Sequence, residues 1–158
     1  MNALTSPAFY KKYVKLPNAD TPLSNEICNN PKQYPFFKDC QGSIDGTHLD
    51  SFVPAEDVAR YRNRKGRLSQ NVLAACSQDM QFTYILSGWE GSAADGNVWD
   101  DARRTDLTVP EGKYFLADAG FPTCDALLVP YRGKRYHLRE WGQANQRQVL
   151  CIFKKPTL

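Results

Sequence analysis

The chain has 158 residues, of which 42% are hydrophobic and 23% charged; that suits one domain with a real core and excludes overall disorder. Its formal charge of +3 is a mild basic excess, weak evidence for a polyanionic partner by itself. The five cysteines (Cys28, Cys40, Cys76, Cys124, Cys151) are odd in number, widely spaced and contain no C-x-x-C, which disfavours a disulfide scaffold or zinc finger and favours a reducing compartment. No apolar run is long enough to span a membrane and no apolar segment of signal-peptide type follows Met1, so the expectation is a soluble intracellular protein.

Residues 1–40 carry five prolines and several asparagines, a mixture that breaks regular structure repeatedly. The reading is an extended arm with one short helix around 24–28, pinned to the core by Phe9, Tyr10, Tyr13, Tyr34, Phe36 and Phe37. A first strand follows over about 42–52. The polar segment after it, 55–66, holds Arg60, Arg62, Arg64 and Lys65, with Arg67 just beyond. Alternating cations with Tyr61 among them could line a phosphate backbone; a solvated hairpin edge protected by charge explains them equally well.

The apolar run Val72-Leu73-Ala74-Ala75-Cys76 predicts a strand covered on both faces. Residues 82–89, rich in aromatic and β-branched side chains, predict a third strand. The short turn between them makes the pair an antiparallel hairpin. A helix is expected over 97–104, with Val98, Trp99 and Ala102 facing the core and Asp95 as its N-cap. It returns the chain to a strand over 113–117, parallel to its neighbour. A short last strand is expected over 126–130. The segment 131–139 is a second basic patch, with Arg132, Lys134 and Arg135 and no acidic residue, while Glu90, Asp95, Asp100, Asp101 and Asp106 cluster elsewhere. This separation of charge favours a nucleic-acid partner over an evenly solvated surface.

Two words carry the chemistry. In Gly-Ser-Ile-Asp45-Gly-Thr-His, alternation puts Ser43, Asp45 and Thr47 on one face and Gly42, Ile44 and Gly46 on the other. A carboxylate in a half-apolar strand needs a cation, an arginine or water, and Gly46 lets another group come close. Taken alone, such an aspartate is more often a hydrogen-bonded structural residue than a ligand. A second strand of the same kind, Tyr-Phe-Leu-Ala-Asp118-Ala-Gly, shifts the balance. Parallel pairing would bring Asp45 and Asp118 to the same end of neighbouring strands, the geometry a shared cation requires.

These words, together with Tyr61-Arg-Asn-Arg-Lys-Gly-Arg-Leu-Ser-Gln-Asn-Val, Gly88-Trp-Glu-Gly-Ser-Ala-Ala-Asp95 and Pro130-Tyr-Arg-Gly-Lys-Arg-Tyr-His137-Leu, resemble the Harbinger-type DDE transposases and their domesticated nuclease relatives. The resemblance runs over 9–148. It implies an α/β, ribonuclease-H-like mixed sheet with a crossover helix, and metal-dependent hydrolysis of DNA phosphodiesters with Mg²⁺ or Mn²⁺ as cofactor. It implies Asp45 and Asp118 as the first two acids of the family's triad, catalytic and metal-binding, and Asp95 as a candidate accessory acid. Arg60, Arg62, Arg64, Lys65, Arg67, Arg132, Lys134 and Arg135 are the candidate nucleic-acid contacts. A nuclear location is implied, otherwise a cytoplasmic one, with DNA and a separate DNA-binding protein as partners. His48 and His137 fall in matching words and are expected to be packed or hydrogen-bonded. The family's third acid stands in an Ile-Glu-Arg context that this sequence lacks; Glu140 belongs to an earlier word. The expectation is therefore an arm over 1–40, an incomplete, C-terminally truncated core over 41–148 and a divergent tail over 149–158, either a catalytically impaired nuclease core or a non-catalytic DNA- or partner-binding remnant.

Overall fold

The computed structural model describes residues 7–131. Arg132, Lys134, Arg135, His137, Glu140 and the tail over 149–158 lie outside the described residues. Five strands form one mixed sheet: β1 (Cys40–Asp50), β2 (Ser69–Cys76), β3 (Phe82–Glu90), β4 (Tyr114–Leu116) and β5 (Leu127–Leu128). Their spatial order is β3-β2-β1-β4-β5. The β1–β2 and β2–β3 pairs are antiparallel, and the β1–β4 and β4–β5 pairs are parallel. Three strands in a meander, a helical crossover and parallel strands added on the far side of β1 make the α/β, ribonuclease-H-like arrangement expected from the sequence.

The crossover helix runs over Asp95–Thr105 and buries Val98, Trp99 and Ala102, as their helical spacing requires. It packs on the sheet face that carries Ile44, Leu73, Ala75 and Phe115; Leu107, Phe121, Leu127 and Val129 complete this core. Two polar ties fix its angle to β3. The Tyr84 hydroxyl donates to Asp106 at 2.6 Å, and the Trp89 indole donates to Asp101 at 2.9 Å. Burial and that carboxylate push the Tyr84 hydroxyl pKa up, so it stays a neutral donor.

The expected N-cap is corrected. Ala94 occupies the cap position and makes no side-chain cap bond, while Asp95 is the first helical residue. The reason is competition: the Asp95 carboxylate accepts from the Asn71 amide of β2 at 2.9 Å instead.

The arm over 7–39 is partly helical rather than extended. It forms a first helix over Pro7–Tyr13 and a second over Asn25–Cys28, where Ser24 caps by accepting from the Glu26 backbone N–H. Pro7 starts the first helix, where its missing N–H costs nothing. Of the six arm aromatics, Tyr10 is bonded to β3, its hydroxyl donating to the Ile85 carbonyl and accepting from the Ile85 N–H, both at 3.2 Å. The Tyr114 hydroxyl of β4 donates to the Phe36 carbonyl, but the rings of Tyr13, Tyr34 and Phe36 are exposed. Aliphatic residues do more of the anchoring: Ile27 is buried and Leu16 packs against the core.

The basic segment after β1 is not a regular hairpin. A 3-10 turn over Ala55–Asp57 leads into a third short helix over Val58–Tyr61, and a loop closed by the Arg62–Leu68 bridge leads into β2.

Candidate metal and nucleic-acid site

The parallel register of β1 and β4 decides the geometry. Ser43 pairs with Leu116, so Asp45 follows two residues later within β1 and Asp118 two residues past the end of β4. The pleat turns the Asp45 side chain to the face opposite Ile44. Each is held by backbone. Oδ1 of Asp45 accepts from the Gly46 N–H at 2.8 Å, and Oδ1 of Asp118 accepts from the Gly120 N–H at 2.7 Å. Both side chains are open to solvent. Desolvation, followed by the charges of Asp118 and Asp95, pushes the Asp45 carboxyl above its ordinary range, against the Gly46 bond that lowers it. The charges of Asp118 and Asp95 reach Asp45 and act against its ionisation.

Asp95 approaches from the other side. A Cβ on Gly46 would meet Asp95 Oδ1 at 2.0 Å, so the carboxylate rests directly on the β1 backbone, and only glycine permits this. The close approach expected at Gly46 is made by a side chain of this chain. Because Gly46 and Asp45 face opposite ways along the strand, Asp95 lies on the helix-covered face and acts on Asp45 through its charge. Sequence reasoning missed Asn71, which sets this arrangement. It is fully buried in β2 and donates to Ala93 O at 3.1 Å and to Asp95 Oδ1. Its own Oδ1 is buried with no hydrogen-bond partner among the described residues. An asparagine heading an apolar strand was the available signal.

The donor set suits a hard divalent cation in one particular way. Among the described residues no three His, Cys, Asp or Glu side chains form a group that could hold a metal ion, so no closed protein cage is present there. Mg²⁺, however, is commonly held by one or two carboxylates and completes its shell with water and substrate phosphate. Asp45 and Asp118 match that pattern.

The structure sorts the candidate cations. Arg60 lies 3.6 Å from Asp57 and 3.7 Å from Glu90. Arg62 donates to the Gly66 carbonyl, and Arg67 is paired with Asp50. Arg64 and Lys65 are exposed, and their side chains make no ion pair or hydrogen bond among the described residues.

A family model described as "DDE superfamily endonuclease" matches residues 44–151, most of the chain and both aspartate words. The chain belongs to the DDE superfamily endonucleases. The motif words that resemble Harbinger-type transposases thus pointed to the right family. This DDE domain is also similar to "Protein ALP1-like" from Arabidopsis thaliana, with 30% identity over 129 residues, 70% of this chain and 32% of that protein. The chain therefore spans about a third of the length of that curated relative. No solved structure matches it. No helix among the described residues is long and apolar enough to cross a membrane.

Proposed function

We propose that this chain is a metal-dependent nuclease-like core that acts on DNA phosphodiesters, with Asp45 and Asp118 as its cation-holding acids. The observation that supports the reading is the parallel β1–β4 pairing, in which Ser43 meets Leu116 and each aspartate follows its pair by two residues. A divalent cation, when bound, supplies concentrated positive charge to a phosphodiester. The chain's own part is to hold it. The backbone N–H groups of Gly46 and Gly120 fix one oxygen of each carboxylate, which leaves the other to ligate. Asp45 must give up its proton to do so, and desolvation, with the charges of Asp118 and Asp95, resists that ionisation. Cation and proton therefore compete, and cation binding strengthens as pH rises.

Cleavage by this chain alone is slow in this reading. Only two of the family's three acids are identifiable in the sequence, and loss even of an outer partner of a metal site costs about 10–100-fold. The absence of a three-residue metal group among the described residues also favours a second reading, a core that binds DNA or a DNA-binding protein without cutting. A DNA partner, common to both readings, supports a nuclear location. The test is nicking of supercoiled plasmid in Mn²⁺ by the wild-type chain and by Asp45→Asn/Asp118→Asn. Slow nicking that the double substitution abolishes supports the nuclease reading. No nicking, with DNA binding intact, supports the binding module. Nicking that survives the double substitution rejects the assignment of the acids.

A further inference from the structure

A cleft of about 410 Å³ opens at the far end of β1, on the face away from Asp45. One wall is the 62–68 loop, the other the 91–95 segment leading into the crossover helix, and His48 forms part of the floor. Both walls are built rather than draped. Asn63 Oδ1 accepts from the backbone N–H groups of Lys65 and Arg67 at 2.9 and 3.1 Å, and Asn63 N and O close the loop onto Arg67 O and Gly66 N. The opposite wall is tied back by Ser92 N–H donating to Arg60 O. Gly91 passes so close to Ser69 that a Cβ there would meet Ser69 O at 2.4 Å and Ser69 Oγ at 2.5 Å.

Ser69 orients the floor. It is fully buried, and its Oγ accepts from Asn63 Nδ2 at 2.9 Å. The proton of a buried hydroxyl needs an acceptor, and His48 Nδ1 stands 3.1 Å away. Donation from Ser69 to Nδ1 leaves the proton of neutral His48 on Nε2, as a ready donor. The charges of the cleft then sort themselves. Asp50 is neutralised by Arg67, and Asp95 Oδ1 is held against Gly46 and Asn71. Among the described residues the side chains of Arg64 and Lys65 make no ion pair or hydrogen bond.

We propose that this cleft is a phosphate-binding subsite for the backbone of duplex DNA, formed by Arg64, Lys65, Ser92 and His48 Nε2–H and distinct from the aspartate pair. The duplex assignment rests on the nuclease-core reading of the chain; the cleft itself does not. The placement suits a phosphate away from the reacting one. Among the described residues β4 pairs with β1 only up to Ser43, and Thr47, His48, Leu49 and Asp50 are exposed beyond it.

The test is fluorescence anisotropy of a labelled duplex in EDTA over a series of salt concentrations. Each neutralised phosphate contributes about 0.9 to the slope of log affinity against log salt. Arg64→Ala/Lys65→Ala, which empties a one-phosphate subsite, should therefore lower the slope by about 0.9 and weaken binding about tenfold at low salt. Lys113→Gln, at the opposite end of the sheet beside Tyr114, should change neither. His48→Ala should weaken binding and His48→Gln, which keeps a donor, should restore it. An unchanged slope in Arg64→Ala/Lys65→Ala, or an equal fall in Lys113→Gln, would overturn the subsite; equal weakening by both His48 variants would overturn the donor role. Asp45→Asn/Asp118→Asn should retain binding in EDTA. If Mn²⁺ calorimetry shows that the acids hold no cation while the Arg64 and Lys65 effect persists, the nuclease reading fails and the subsite stands.

Discussion

The charge on Asp45 has a cost to the fold that can be measured. Its carboxyl is held above the ordinary value of 3.8 by burial and by Asp118 and Asp95. The native chain therefore keeps that proton to higher pH than the unfolded chain. Across this window the native state binds more protons, so stability falls as pH rises from the ordinary carboxylate range to the folded pKa, and the loss persists at neutral pH. Asp45→Asn should accordingly melt higher than wild type at pH 7 in EDTA, with the gain fading toward pH 3.8; thermal melts across that range check it, and a flat difference would mean that Asp45 is fully solvated. Gly46→Ala tests the contact behind it. The added Cβ must displace Asp95, and overpacking of this kind costs about 1–3 kcal/mol, measurable by urea denaturation. Asp45 and Asp118 stood out in the sequence because each is a carboxylate in an apolar stretch with a glycine close behind. Asn71 was not, because its partner Asp95 lies 24 residues away and no local pattern encodes that pairing.

At the scale of elements, local periodicity carried most of the fold. The β2–β3 hairpin and the crossover helix were readable from apolar runs and from the spacing of Val98, Trp99 and Ala102. What escaped was set by tertiary competition. Asp95 lost its capping role to Asn71. The alternating arginines fell on a helix end and a loop, since Tyr61 and Asn63 frame a turn rather than a strand. The first helix over Pro7–Tyr13 was hidden among proline and aromatic residues that give no amphipathic stripe. Because the crossover helix spans the sheet between β3 and β4, its docking should govern the whole domain. Trp99 is 2% exposed, and Trp99→Ala should cost about 3–5 kcal/mol. Tyr84→Phe, which removes a bond to a charged acceptor, should cost about 1.5–3 kcal/mol. Chemical denaturation of the two variants would reverse this order only if the helix were held chiefly by its polar ties.

For the molecule as a whole, Asp45 and the basic cleft lie on opposite faces of β1. In the proposed reading that division would let the chain hold a cation and a nucleic-acid backbone without placing Arg64 or Lys65 against the aspartates. DNA binding should be weak and sequence-independent, with dissociation constants of about 10⁻⁴–10⁻⁶ M at physiological salt, and should tighten steeply as salt is lowered; anisotropy on unrelated duplexes checks both properties. The central claim is narrower, that Asp45 and Asp118 form a divalent-cation site. Calorimetric titration of Mn²⁺ into the metal-free chain at pH 7 tests it most directly. Binding heat should be present in the wild-type chain, lost in Asp45→Asn/Asp118→Asn and retained in Asp95→Asn, whose carboxylate lies behind the strand. Binding heat that persists in the double variant, or none in the wild-type chain, would contradict the account.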